Sequence, residues 1–180
     1  MATRTLRRFT VGEYERMVDV GILTEEDRVE LVGGEIVEIS PIGSRHAAQV
    51  RLLAGVLQRV AGDRAIVSIQ APIRLDDASE PQPDLALLRP RGDFYATGHP
   101  GSEDVRLVVE VADTSVEFER NVKVPPYARA GIPLIWLIDV SGPGVIEVYE
   151  GRDMRPSRAG RGRRLALPWT ELPVNDILLP

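Results

Sequence analysis

The sequence predicts an α/β fold, at the border with α+β: a mixed sheet with one main helix before it and one crossing within it. Three observations lead there. Apolar runs at 85–88, 105–111 and 132–140 are too short for ordinary helices and read as buried strands. Ahead of them, Val50, Leu53, Ala54 and Leu57 recur at helical spacing. Between the second and third runs, residues 114–130 are polar and mostly helical in pattern. At 180 residues the chain has the length of one ordinary domain, spanning 1–180, with neither an internal repeat nor a dividing linker.

Each element has its own signal. Thr10 with Glu13 forms a capping box, opening a short helix whose apolar face is Tyr14, Met17 and Val18 and which Gly21 ends. Residues 29–32 and 35–39 flank Gly33-Gly34, the pattern of a β-hairpin. Ser44 suits the cap of a helix running to about 60, stopped by Gly62-Asp63. Residues 65–75 read as a strand in which Pro72 demands an edge or a bulge. Residues 76–81 are turn-rich, and 90–103 form a long loop. Glu119, Lys123 and Tyr127 fall four apart on one helix face, with Pro125-Pro126 kinking or restarting that helix and Gly131 ending it. The strand 132–140, with Trp136, turns through 141–144 (including Pro143) into a partner at 145–150. Residues 165–167 and 177–179 read as short terminal strands.

Composition narrows the function. The charged and apolar fractions, 27% and 43%, are those of a globular protein, and no apolar stretch approaches the length of a membrane span. The basic start of the chain lacks the apolar segment of a signal peptide. With no cysteine there is no disulfide, thiolate zinc site or cysteine nucleophile, which fits a cytoplasmic protein. The two histidines, His46 and His99, would need carboxylates to complete any metal site. A net charge of −5 argues against tight DNA binding by the whole surface. The arginines are nevertheless clustered: Arg4, Arg7 and Arg8 near the start, and Arg152, Arg155, Arg158, Arg161, Arg163 and Arg164 opposed only by Asp153. The two groups read either as phosphate contacts, with Arg161, Arg163 and Arg164 foremost, or as a solvated hairpin loop.

Asp84 and Glu110 are the residues that apolar strands do not explain. Asp84 opens one buried run after Pro83, and Glu110 sits inside the next. A charged carboxylate inside a buried strand costs several kcal/mol, roughly, unless a cation pairs with it. Two such acids with Lys123 following suggest convergence on a hard divalent cation, Mg2+ or Mn2+. Taken singly, Asp84 also suits a turn after Pro83, and Glu110 a metal-free ion pair with Lys123.

Five stretches in this order carry a family resemblance: residues 28–36 (Arg-Val-Glu-Leu-Val-Gly-Gly-Glu-Ile), 40–46 (Ser40 through His46), 82–85 (Gln-Pro-Asp-Leu), 109–115 (Val-Glu-Val-Ala-Asp-Thr-Ser), and Lys123 through Tyr127 to Asp139. The chain resembles the restriction-endonuclease-like PD-(D/E)xK nucleases and, among them, the small bacterial Uma-type family, over nearly its whole length. The resemblance implies a restriction-endonuclease-like mixed sheet with an N-terminal helix and β-hairpin. It implies Asp84 and Glu110 as metal ligands, with the Val111 carbonyl as a further one, and Lys123 as the catalytic lysine. In the superfamily the lysine often stands two residues after the glutamate, a place held here by Ala112. Glu119 occupies a position that is more often aspartate. Glu30 and His46 are expected at or just behind the site entrance, Gln82 beside substrate or Lys123, and Tyr127 positioning Lys123.

The implied activity is metal-dependent endonucleolytic hydrolysis of DNA, and cutting both strands of a duplex favours a two-fold dimer. A catalytically silent DNA-binding or assembly module, or a hydrolase of another phosphate or carboxylate substrate, are the competing readings.

Overall fold

The computed structural model describes residues 6–39, 41–142, 144–151 and 155–179. Arg4, Ser40, Pro143, Arg152 and Asp153 lie outside the described residues. The chain opens with α1 (Val11–Asp19), capped by Thr10 and Glu13 in the expected reciprocal box. Its buried face is Val11 and Tyr14, whereas Val18 is 47% exposed. The hairpin β1 (Val29–Val32) and β2 (Glu35–Glu38) follows and forms its own two-stranded sheet. Next comes α2 (Ser44–Ala61), in which Gly43 rather than Ser44 occupies the cap and makes no side-chain bond.

A six-stranded sheet forms the centre, in the order β3 (Ile66–Ile69), β4 (Leu85–Leu88), β5 (Val105–Ala112), β6 (Leu134–Asp139), β7 (Ile146–Glu150) and β8 (Ser157–Ala159). All neighbours are antiparallel except β5 and β6. A parallel pair needs a crossover, and residues 116–129 supply it. The edge strand β3 is shorter than expected, because Gln70 turns to a φ of 47° just past it.

The period of two along each strand sorts the core. Leu85, Leu87, Leu107, Val109, Trp136 and Val148 face α2 and the C-terminal segment. Ala86, Val108, Ala112, Ile135, Leu137 and Tyr149 face the crossover, with Val124, Tyr127 and Ala128. Both faces are covered, so the strands are apolar throughout instead of alternating.

The crossover departs from a single kinked helix. It runs as α3 (Val116–Phe118), a π-turn over Glu119–Lys123, and α4 (Val124–Arg129). The Val124 N–H reaches back to the Glu119 carbonyl, five residues earlier. Pro125 and Pro126 then sit in the first turn of α4, where a missing N–H costs little. The break thus falls ahead of the prolines.

The C-terminal part holds β9 (Arg164–Leu167) and β10 (Thr170–Pro173), a second separate hairpin, and the single helical turn α5 (Val174–Ile177). The expected strand at 177–179 is absent; Ile177 ends α5 and is fully buried. Strands β8 and β10 gave no sequence signal, since one carries serine and arginine and the other ends in proline. Among the described residues no helix is long and apolar enough to cross a membrane.

Candidate active site

The antiparallel register of β4 and β5 sets Leu85 against Val109, which carries Asp84, one residue earlier, beside Glu110 and Val111. Asp84 Oδ2 accepts from the Val111 N–H at 2.8 Å, and Glu110 Oε2 stands 3.4 Å from the Asp84 N–H. Glu110 points from β5 toward the crossover, so the π-turn lies over it. Lys123 Nζ reaches Glu110 Oε1 at 2.9 Å, Glu30 Oε1 at 3.4 Å and Glu119 Oε2 at 3.8 Å. The three residues expected to converge therefore do so, and Glu30 and Glu119 join them.

These groups are deeply buried: Glu110, Glu30 and Lys123 retain 1%, 3% and 6% exposure. Lys123 is also the only lysine of the chain; every other fixed cationic side chain is arginine. That contrast was open to view in the sequence and marks a position where a compact ammonium is wanted in place of a guanidinium fork.

Partners lock the remaining atoms. Tyr127 donates to Glu110 Oε1 at 2.6 Å. Gln82 acts through its backbone: its N–H donates to Glu30 Oε2 at 2.8 Å and its carbonyl accepts from Lys123 at 3.4 Å. His46 Nε2 lies 3.0 Å from Asp84 Oδ2, while its Nδ1 is buried without a partner. Gln70, which sequence reasoning passed over, donates to Asp84 Oδ1 at 3.3 Å, and Ser115 donates to Glu119 Oε1 at 3.3 Å. Glu119 Oε2 is buried and has no hydrogen-bond partner. Gln70 sits at an irregular strand end and Ser115 in a loop, so only the fold brings them in.

The electrostatics follow from counting charges. Glu30, Asp84, Glu110 and Glu119 surround one lysine and one histidine. Burial, and then the neighbouring carboxylates working against the pull of Lys123, hold Glu110 well above the ordinary carboxylate range. Glu119 is raised for the same reasons. Burial opposes the Lys123 ammonium, but Glu110, Glu30 and Glu119 together outweigh it and raise its pKa. Burial beside Glu110 lifts the Tyr127 phenol well above its usual value. The hydrogen bond to Asp84 raises His46.

This cluster forms the floor of a cleft of about 1200 Å³. Nine acids line it: Glu15, Asp19, Glu30, Glu38, Glu80, Asp84, Glu110, Asp113 and Glu119, against Arg28, Lys123 and the two histidines. His99, silent in the sequence, is on its wall. Arg161, Arg163 and Arg164 are not among the lining residues. Arg164 Nε pairs with Glu171 Oε2 at 3.0 Å, and Arg161 donates to the Leu179 carbonyl.

A hard divalent cation suits this donor set. Four acids exceed the local positive charge, and Glu119 Oε2, which accepts no hydrogen bond, stands 3.8 Å from the Lys123 ammonium. Among the described residues, no group of three or more histidine, aspartate or glutamate side chains is arranged to hold a metal by itself. Magnesium commonly takes one or two carboxylates and keeps several waters, so an all-protein cage is not required.

The family model for Uma2, described as "Putative restriction endonuclease", matches residues 11–173. The crystal structure of a "putative nuclease" from Anabaena variabilis superimposes with a TM-score of 0.72. It shares 15% identity, over 94% of this chain and 97% of that one, which makes the likeness one of fold. No curated protein matches the chain. The matched residues include the hairpin bearing Glu30, the strand pair joining Asp84 to Glu110 and the crossover bearing Lys123, and the chain belongs to the Uma2 family of restriction-endonuclease-like proteins.

Proposed function

We propose that this protein is a divalent-cation-dependent endonuclease that hydrolyses phosphodiester bonds of DNA at the Asp84–Glu110–Lys123 site. What supports the reading is the surroundings of Lys123: a sole lysine, buried, ringed by three carboxylates and one strand away from a fourth. Asp84 and Glu110, with the Val111 carbonyl, would hold Mg2+ or Mn2+. When bound, the ion would lower the pKa of a water and offset charge on the phosphoryl oxygens.

The protein's own groups divide the remaining work. Lys123 stays an ammonium, since its pKa is raised, and so stabilises the negative charge that builds on phosphorus oxygens rather than removing a proton. Glu119 has an oxygen that accepts no hydrogen bond, and burial raises its pKa above the ordinary carboxylate value, which suits a group that takes the water's proton. Glu30 and Tyr127 hold Lys123 and Glu110 in place. The water oxygen adds to phosphorus as its proton passes to Glu119, the bond to one ester oxygen breaks, and that oxygen leaves as a hydroxyl by taking a proton from solvent water. Hydrolysis of both strands of a duplex calls for two such sites, hence a two-fold dimer as the acting species.

Calorimetry with MgCl2 and MnCl2, paired with cleavage of plasmid and single-stranded DNA, tests this. The wild type is expected to bind and cut, and Asp84→Asn to lose both. A wild type that binds neither ion and cuts neither DNA would sink the proposal.

A further inference from the structure

Cross-strand register sets Glu110 on β5 opposite Leu137 on β6, and Leu137 opposite Glu147 on β7. The two glutamates share one face of the sheet, two strand spacings or roughly 10 Å apart. The crossover lies on that face, and its π-turn contributes one cation to each. Lys123 meets Glu110. Three residues earlier, Arg120 grips Glu147 with a parallel fork, Nε to Oε2 at 2.9 Å and Nη2 to Oε1 at 3.2 Å. Glu147 is 6% exposed, and its remaining capacity is filled by Tyr149, which donates at 2.9 Å, and Arg158, at 2.9 Å. A short helical segment with broken hydrogen bonding is thus pinned at both ends, across Leu137.

A π-turn needs such a pin. It widens the helix and displaces every side chain that follows, so the direction of Lys123 depends on what holds the turn down. A bidentate arginine–carboxylate pair fixes angle as well as distance. We propose that Arg120 and Glu147 are positioning residues: their ion pair holds the Glu119–Lys123 turn so that Lys123 and Glu119 face Glu110 and Asp84. The inference rests on the nuclease reading for its catalytic consequence, but not for its structural one.

The sole lysine supplies a direct probe. Protein labelled with 15N gives one lysine Nζ resonance, that of Lys123. Arg120→Ala is expected to shift and broaden it, and to lower kcat for DNA hydrolysis on the order of 10- to 100-fold with KM little changed. Tyr149→Phe removes another donor from Glu147 without touching the turn, and is expected to leave resonance and rate as in wild type. Should Arg120→Ala not fold, Glu147→Gln, of similar volume, reads the same two quantities. A wild-type resonance and rate in the Arg120 or Glu147 variant overturns the proposal, as do equal changes in Tyr149→Phe. If wild-type protein cuts no DNA with either ion, the nuclease reading fails by itself and the resonance alone decides on the positioning role.

Discussion

Removing the ammonium of Lys123 leaves the buried Glu30 and Glu110 and the partly buried Glu119 without the cation they share. Breaking a buried pair from one side costs about 3–5 kcal/mol, because the surviving charge has neither water nor partner. Lys123→Met is expected to lose that much in urea unfolding of metal-free protein, and a second change, Glu110→Gln, to restore part of it. A loss below about 1 kcal/mol would mean that the cluster is hydrated in solution. Glu110 makes a separate prediction about pH. Its carboxyl is raised on folding, so between the unfolded value of 4.5 and the folded one the native state binds the extra proton. Stability from this group is therefore fully present below the unfolded pKa and is lost as pH rises through the folded pKa. Metal-free wild type should lose thermal stability over that rise, and Glu110→Gln should lose less. Parallel Tm–pH curves for the two proteins would refute the linkage.

At the scale of elements, the hairpin that carries Glu30 is held by its turn. Gly34 has a φ of 81°, its N–H donates to the Ala78 carbonyl at 2.7 Å, and its carbonyl accepts from Phe9 at 2.8 Å. A Cβ there would stand 2.6 Å from Arg8 Cβ and 3.1 Å from the Phe9 carbonyl oxygen. Gly34→Ala is expected to destabilise by about 1–3 kcal/mol, from backbone strain and from displacing the 8–9 segment. Chemical denaturation measures this, and a neutral effect would show that the N-terminal segment does not clamp the turn. The glycine pair was legible because turn chemistry is local, as were the Thr10–Glu13 box and the three apolar strands. The π-turn was not. Pro125-Pro126 announced a disturbance, but where the helix gives way was decided by what the sheet offers beneath it, Glu110 on one strand and Glu147 two strands on. Likewise β8 and β10 are strands through pairing with neighbours rather than through any alternation of their own.

Across the whole molecule, the part of the site that sequence revealed is the part fixed by adjacent strands. Asp84 and Glu110 meet because β4 and β5 pair, and an acid opening one apolar run and an acid inside the next were visible as anomalies. Gln70, Ser115 and the acidic cleft walls arise from distant segments folding together, which no local pattern encodes. Those walls make a prediction about DNA. Nine acids against Arg28, Lys123 and two histidines leave an excess of negative charge that repels a polyanion, so affinity for duplex DNA should be weak in EDTA and rise when a divalent cation is added. Fluorescence anisotropy with Ca2+ in place of Mg2+ measures binding, and equal affinity with and without the ion would refute the electrostatic argument. The arginines bear on the same measurement. Arg161, Arg163 and Arg164 stand apart from the cleft lining, on the β8–β9 side of the molecule. If phosphates of a bound duplex extend to them, replacing all three with alanine flattens the slope of log K against log salt by up to about 2.7, at ~0.9 per contact. Arg164 already pairs with Glu171, and Arg161 with the Leu179 carbonyl, so both must exchange a protein partner for a phosphate, and the expected change is nearer one contact than three. An unchanged slope means that these arginines keep their protein partners, and that any attraction of this acidic protein for DNA would have to come from a bound divalent cation.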